Sequence, residues 1–214
     1  MKTFALAAAA MISTAGAFAY VGPKMAAPDT APRDVVIQVI TSSGHGSAVH
    51  IGNGFALTAT HVTRGEKDLK YRAPGEAEAT RTVEVLWENA AYDITLIRLD
   101  DYASLASADL ECRAPVIGEP VSMVGNPLAL KDVITYGHVA GTPTLIGPWG
   151  AAMPVDGSLA GGMSGGGMFD ADGDLIGINV GVALQSFGFA LAPVGISLVV
   201  PGSTICDLLA RGDA

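Results

Sequence analysis

Residues 161–178 read GGMSGGGMFDADGDLIGI, and this stretch decides between two kinds of fold. A glycine-rich loop can cradle a phosphate, but nucleotide-binding loops of that kind carry a lysine and run into a long helix. Here no lysine follows, and the residues beyond Asp174 are an apolar, strand-like run. Glycines on both sides of the lone Ser164 serve a different purpose. They let backbone N–H groups turn inward beside a hydroxyl, where they can hold an oxyanion. The adjoining Asp170-Ala171-Asp172-Gly173-Asp174 resembles a calcium loop, yet its glycine comes too early and the Glu at the twelfth position is missing. It reads as a hairpin turn.

On either side of the loop the chain alternates in strand fashion. Residues 175–182, 188–191 and 196–200 follow it, and residues 120–124 and 133–141 precede it. Further upstream, residues 34–41 (DVVIQVIT) are rich in β-branched side chains. Residues 46–50 and 54–58 are short runs joined by Ile51-Gly52-Asn53, and residues 81–87 and 94–99 alternate in the same way. Short strands with turn signals every 8–12 residues or so predict an all-β sandwich or barrel. Only residues 202–210 predict a helix, and residues 100–115 lack periodicity and read as a linker.

Composition narrows the function classes. Half of the 214 residues are apolar, enough for a sizeable core in one domain or in two small halves sharing a cleft. With only 15% charged residues the chain is not of the disordered class. Its net charge of −9 argues against gripping phosphates, which takes a basic face, so no nucleic-acid partner is expected. No internal stretch reaches the roughly 20 apolar residues of a helical membrane span. At the N-terminus, Lys2, an apolar run over residues 4–12 and Ala17-Phe18-Ala19 have the form of an export signal. Residues 1–19 are expected to be removed; a core helix and an uncleaved anchor are the alternatives. Residues 20–33, with Pro23, Pro28 and Pro32, read as a flexible leader, and residues 34–210 as the folded domain. A periplasmic or secreted location is expected, with no stable membrane span after cleavage. Two cysteines, Cys112 and Cys206, allow one disulfide in an oxidising compartment, or remain two buried thiols.

Two more islands carry candidate chemistry. GFALTATHV (residues 54–62) ends an apolar strand near His61, and AYDITLIRL (residues 91–99) opens a strand at Asp93. A lone histidine is more often structural, and an aspartate before a strand is usually a turn residue. A buried aspartate there can also accept an imidazole N–H and fix the ring's tautomer. His61, Asp93 and Ser164 follow the chain order His, Asp, Ser of one known kind of catalytic triad.

With these three motifs the chain resembles trypsin-like serine proteases of the S1 type, most nearly the HtrA/Deg protease domain without its PDZ domain. TATHV is similar to that group's T-N-A-H-V, and YDITLIRL to its D-L-A-L-L-K-V. GGMSGGGMFDADGDLIGI is similar to its G-N-S-G-G-x-x-x-x-x-G-x-x-I-G-I, and Val124-Gly125-Asn126-Pro127 to its I-G-N-P. The likeness runs from about residue 35 to about residue 205.

The resemblance implies two antiparallel β-barrels, the first over about 34–110 and the second over about 115–200, with a C-terminal helix packed back on the first. It implies a serine endopeptidase with His61, Asp93 and Ser164 catalytic, an oxyanion hole from the N–H groups of Gly162 and Ser164, and no metal or other cofactor. It also implies a disulfide between Cys112 and Cys206. Its partners would be protein or peptide substrates. Ser158, Leu159, Ala160, Val180 and Gly181 are expected to line the pocket for the residue before the scissile bond. Ser158 stands where trypsins carry a carboxylate, so a small or medium apolar side chain is expected there. Met163 stands where digestive trypsins carry the aspartate that receives a newly cut N-terminus, so activation by that route is not expected. His45, His50 and His138 lack metal-ligand spacing. The competing reading is a catalytically silent binding module on a protease fold.

Overall fold

The computed structural model describes residues 31–78 and 81–211. The expected export signal and most of the expected leader lie outside these residues. The described chain opens with a 3-10 turn, Pro32–Val35. The strands of the first half are β1 (Val36–Ile40), β2 (His45–Gly52), β3 (Phe55–Thr58), β4 (Lys70–Arg72), β5 (Arg81–Asn89) and β6 (Ile94–Leu99), with a one-turn helix α1 (Thr60–Thr63) after β3. Those of the second half are β7 (Pro120–Gly125), β8 (Val133–Val139), β9 (Thr144–Ile146), β10 (Trp149–Asp156), β11 (Gly167–Phe169), β12 (Leu175–Phe187) and β13 (Ala190–Pro201), followed by helix α2 (Gly202–Arg211).

All strand ladders are antiparallel, and they close twice. The first barrel has the order β1-β2-β3-β6-β5-β4, with β4 returning to β1. The second runs β13-β12-β11-β7-β8-β10 and closes through the β10–β13 pairing, with β9 attached to β10. The two-barrel all-β fold expected from the sequence is thus present.

Alternation along the strands explains why their sequences look almost continuously apolar. Successive side chains point to opposite faces of a sheet. In β1, β2 and β3 the residues Ile37, Ala48 and Ala56 fill the first barrel, while their neighbours Val36, Val49 and Leu57 face outward into a second core. In β7, β10 and β13, Met123, Met153 and Val199 fill the second barrel, while Val124, Ala152 and Leu198 face the same shared seam. The barrels are therefore joined by a buried apolar layer. That layer fixes the cleft above it.

Two expectations change. Pro32 and Arg33 already belong to the 3-10 turn, so the leader gives way to folded chain earlier than residue 34. Proline's fixed φ suits the first residue of such a turn, and Val35 at its end is buried. Helix α2 rests on β12 and β13, not on the first barrel, because it follows β13 with no intervening loop. Its Ile205 nevertheless joins the inter-barrel core, to which Val35 and Val36 also belong. The chain between β6 and β7 forms no strand, as expected of the linker; it makes an isolated bridge, Leu110 to Leu175, and Ala108 N–H donates to the His50 carbonyl of β2. Cys112 in this linker is disulfide-bonded to Cys206 in α2, with their Cα atoms 5.6 Å apart. No helix among the described residues is long and apolar enough to cross a membrane.

Candidate active site

His61 sits in α1, where the chain leaves the rigid edge of β3. Its backbone N–H donates to Asp93 Oδ1 at 2.9 Å, and its Nδ1 lies 2.6 Å from Asp93 Oδ2. A neutral imidazole that donates from Nδ1 keeps Nε2 as an acceptor. Asp93 is the residue just before β6. It has a φ of 59°, a left-handed conformation that aspartate tolerates better than most residues. Asn89 Oδ1 accepts the N–H groups of Ala91 and Tyr92 and so shapes the turn that delivers it. The hydroxyls of Thr60, Thr63 and Thr95 bond to one another and tie α1 to β6.

A third donor reaches this aspartate from the other barrel. Trp149 Nε1 donates to Asp93 Oδ2 at 3.0 Å. The same oxygen therefore accepts from both the indole and the imidazole. Asp93 is buried, and a buried carboxylate needs such partners to stay ionised at a tolerable cost.

Ser164 lies in the loop between β10 and β11. A bond from Met163 N–H to the Ala160 carbonyl closes a turn over residues 160–163. Gly162 has a φ of 99°, as the third residue of a type II turn requires. A methyl group at this glycine would collide with the Asn126 carbonyl oxygen and with the His45 ring, 2.6 Å from its Nε2. The Gly161 carbonyl accepts Leu128 N–H at 2.9 Å. The two groups of a trans peptide point in opposite directions, so the N–H of Gly162 is left on the other face of the turn.

The first barrel grips this turn. Ser47 Oγ donates to the Gly162 carbonyl at 2.8 Å, and Ser47 N–H donates to the Ser164 carbonyl at 2.8 Å. Ser47 Oγ also accepts from Asn126 N–H, and His45 Nε2 lies 2.9 Å from the Asn126 carbonyl oxygen. From behind, the Asn179 carbonyl accepts Gly165 N–H at 2.7 Å. Met163 is fully buried.

One cavity opens at the serine, and a second lies at the residues that precede the serine's turn. A cleft of about 350 Å³ is lined by His45, His61, Glu66, Gly162 and Ser164, among others, so His61 and Ser164 face the same space. A smaller cavity of about 70 Å³ is lined by Gly157, Ser158, Leu159, Val182, Pro193, Gly195, Ile196 and Ser197, with no charged side chain. Of the five expected pocket residues, Ser158 and Leu159 line it. Ala160 starts the turn beside it, Val180 is buried in the inter-barrel core, and Gly181 backs onto the Trp149 ring. The cause is register. Strand β12 shifts against β13 between Asn179 and Gly181 and again between Val182 and Leu184. The first is a shift of one residue and exchanges the faces, and Val182 comes to the cavity in place of Val180.

Among the described residues, no group of three or more His, Cys, Asp or Glu could hold a metal ion. The turn at Asp170–Asp174 is the expected β11–β12 hairpin connection, with Asp170 Oδ1 accepting from Asp172 and Asp174 N–H.

Sequence reasoning missed four residues of this site: Trp149, Ser47, Asn126 and His45. Asn126 lies inside the quoted Val124–Pro127 stretch, which was the one available signal. The other three act across the barrel seam, on partners 56 to 115 residues away.

Two six-stranded antiparallel barrels with a histidine, an aspartate and a serine gathered at their junction define a chymotrypsin-like fold. The chain matches the trypsin-like peptidase domain family over residues 46–178 and belongs to that family. It is 30% identical over 178 residues to Protease Do-like 1, chloroplastic, of Arabidopsis thaliana, an alignment covering 77% of this chain and 38% of that protein. It is 25% identical over 171 residues to a probable periplasmic serine protease do/HhoA-like of Haemophilus influenzae, covering 78% of this chain and 35% of that one. The chain thus spans well under half the length of these curated relatives. The solved structure of the HtrA-type protease AlgW with a tripeptide superposes with a TM-score of 0.72 at 22% identity, over 84% of this chain and 60% of that one. These likenesses agree with the HtrA/Deg resemblance of the sequence motifs.

Proposed function

We propose that this chain is an exported serine endopeptidase that cuts peptide bonds after small or medium apolar residues. The observation that carries the reading is the 2.6 Å contact between His61 Nδ1 and Asp93, with Ser164 facing the same cleft as His61.

A serine hydroxyl is a weak nucleophile at neutral pH and needs an adjacent base. In this reading His61 Nε2 takes the Ser164 Oγ proton as Oγ attacks the substrate carbonyl carbon. Asp93 holds the ring's tautomer and stabilises the imidazolium. The N–H groups of Gly162 and Ser164 receive the negative oxygen of the tetrahedral intermediate, a service worth about 3–4 kcal/mol of barrier per donor. His61 then gives its proton to the leaving amine as the C–N bond breaks. Water, activated by the same ring, releases the acyl group from Ser164.

The absence of a carboxylate among the lining of the 70 Å³ cavity and its small size support an uncharged, compact residue before the cut. Export is supported by the form of residues 1–19 and by the disulfide between Cys112 and Cys206.

A fluorophosphonate probe is expected to label the protein, and Ser164→Ala is expected to remove the label. A digest of an unfolded protein read by mass spectrometry should show cuts after Ala, Val and similar residues. Failure to label would favour the silent binding module, and a digest dominated by cuts after Lys or Arg would overturn the pocket assignment.

A further inference from the structure

Residues 175–206 contain no charged side chain, in a chain that is otherwise acidic. Within them, β12 and β13 run past the barrel. Beyond Val182 and Ile196 the two strands pair only with each other, down to Phe187 opposite Ala190. Gly188, with a φ of 67°, makes the first position of the two-residue turn. This ribbon exposes Leu184, Phe187, Phe189 and Leu191. A contiguous apolar surface of this kind is costly in water and marks a contact site.

Cross-strand pairing says which face is relevant. Leu184 opposes Pro193, and Leu191 opposes Ser186. These pairs lie two residues apart along each strand, so they share a face, whereas Phe187 and Ala190 occupy the reverse one. Pro193 also lines the 70 Å³ cavity beside Ser158. The apolar face therefore begins at that cavity and leads away from it. At about 3.3 Å per residue, the five steps from Val182 to Phe187 extend roughly 17 Å, the length of about five extended residues.

We propose that the Leu184–Leu191 face of the ribbon is a docking rail for an apolar stretch of the substrate on the acyl side of the cut, as an unfolded polypeptide presents. The proposal rests on the endopeptidase reading for its direction. The rail starts at the cavity that takes the residue before the bond, so the docked stretch is about the five residues next upstream of that one.

The test uses two internally quenched peptides with the same scissile segment. One carries Leu and Val at the upstream positions and the other carries Ser and Gln. The parent protein is expected to favour the apolar peptide by about tenfold in kcat/KM, mainly through KM, as for burial of one or two aliphatic side chains. Leu184→Ser with Leu191→Ser should lose that preference and keep the parent's rate on the polar peptide. Phe187→Ser, on the reverse face, should keep it. A preference retained by the Leu184/Leu191 variant, or abolished equally by Phe187→Ser, overturns the rail, whatever either change does to vesicle binding or self-association. If neither peptide is cut by any form, the endopeptidase reading fails. The rail is then judged alone, by anisotropy of the labelled apolar peptide on Ser164→Ala with and without the two leucine changes. Equal binding overturns it, and loss of binding sustains it.

Discussion

His61 and Asp93 are delivered by neighbouring strands of one barrel, whereas Ser164 rides on a turn of the other barrel that is gripped from across the seam. Thr58 of β3 and Thr95 of β6 are partners in register. The two side chains that follow and precede them are thus brought together by the first barrel's own ladder. The serine turn has no such frame. Its Gly162 and Ser164 carbonyls are both held by Ser47, which belongs to the first barrel. One half of the site is made when a barrel closes, and the other when two barrels dock. Trp149 is the exception that links them, since it reaches from the second barrel to Asp93.

The contrast can be broken hardest at the aspartate. Asp93→Asn should lower kcat/KM by about 10⁴-fold, because an amide presents the wrong partner to Nδ1 and favours the wrong tautomer. Steady-state kinetics on a quenched peptide would measure it, with circular dichroism to show that the barrels persist. A smaller pair of changes separates the two halves. Ser47→Ala releases the Gly162 carbonyl, and about a 10- to 100-fold loss in kcat with KM nearly unchanged is expected. Trp149→Phe removes one donor from an ionised acceptor, a loss of about tenfold. If the halves are independent, the double variant should show the product of the two losses; a marked departure would mean that the seam couples them.

Stability in acid offers a milder probe of the second barrel. The Arg113 guanidinium hydrogen-bonds Glu119, and this, against the opposing effect of burial, holds the Glu119 carboxyl below the usual carboxylate range. A depressed folded-state value means that the stabilisation is complete above the unfolded-state value. It is lost as pH falls through the folded-state one. Urea denaturation between about pH 6 and pH 3 should therefore show a steeper acid loss for the parent than for Glu119→Gln. The effect should be small, since Arg113 is partly exposed. The smallest effect is expected from acetylating the N-terminus. With Met163 buried where an ammonium partner would have to sit, the activity should not change. A large loss of peptidase rate would show that a free amine helps to hold the serine turn.

The same contrast governs what could be read from the sequence. Strand β6 was legible to the residue, because ITLIRL alternates and its ends are marked by Asp93 and Asp100. His61 and Ser164 were legible because each sits in a local motif. Strands β4, β9, β10 and β11 were not. Three of them have only three residues: β4 and β9 lie in a turn-rich context, and β11 (Gly167–Phe169) is hidden inside the glycine-rich motif. Strand β10 contains Pro154, which argues against a central strand, yet its carbonyl is used by Ala140 N–H and its register with β13 is kept. The pocket was half legible. Ser158 and Leu159 precede the serine in a fixed order, but Val182 displaced Val180 because bulges are set by tertiary contacts and leave no periodic trace.

The bond between Cys112 and Cys206 joins positions 94 residues apart. The whole second barrel lies inside the covalent ring so formed. A single cut anywhere in that ring, by a neighbouring copy or by another hydrolase, would yield two polypeptides that still travel as one molecule until a reductant parts them.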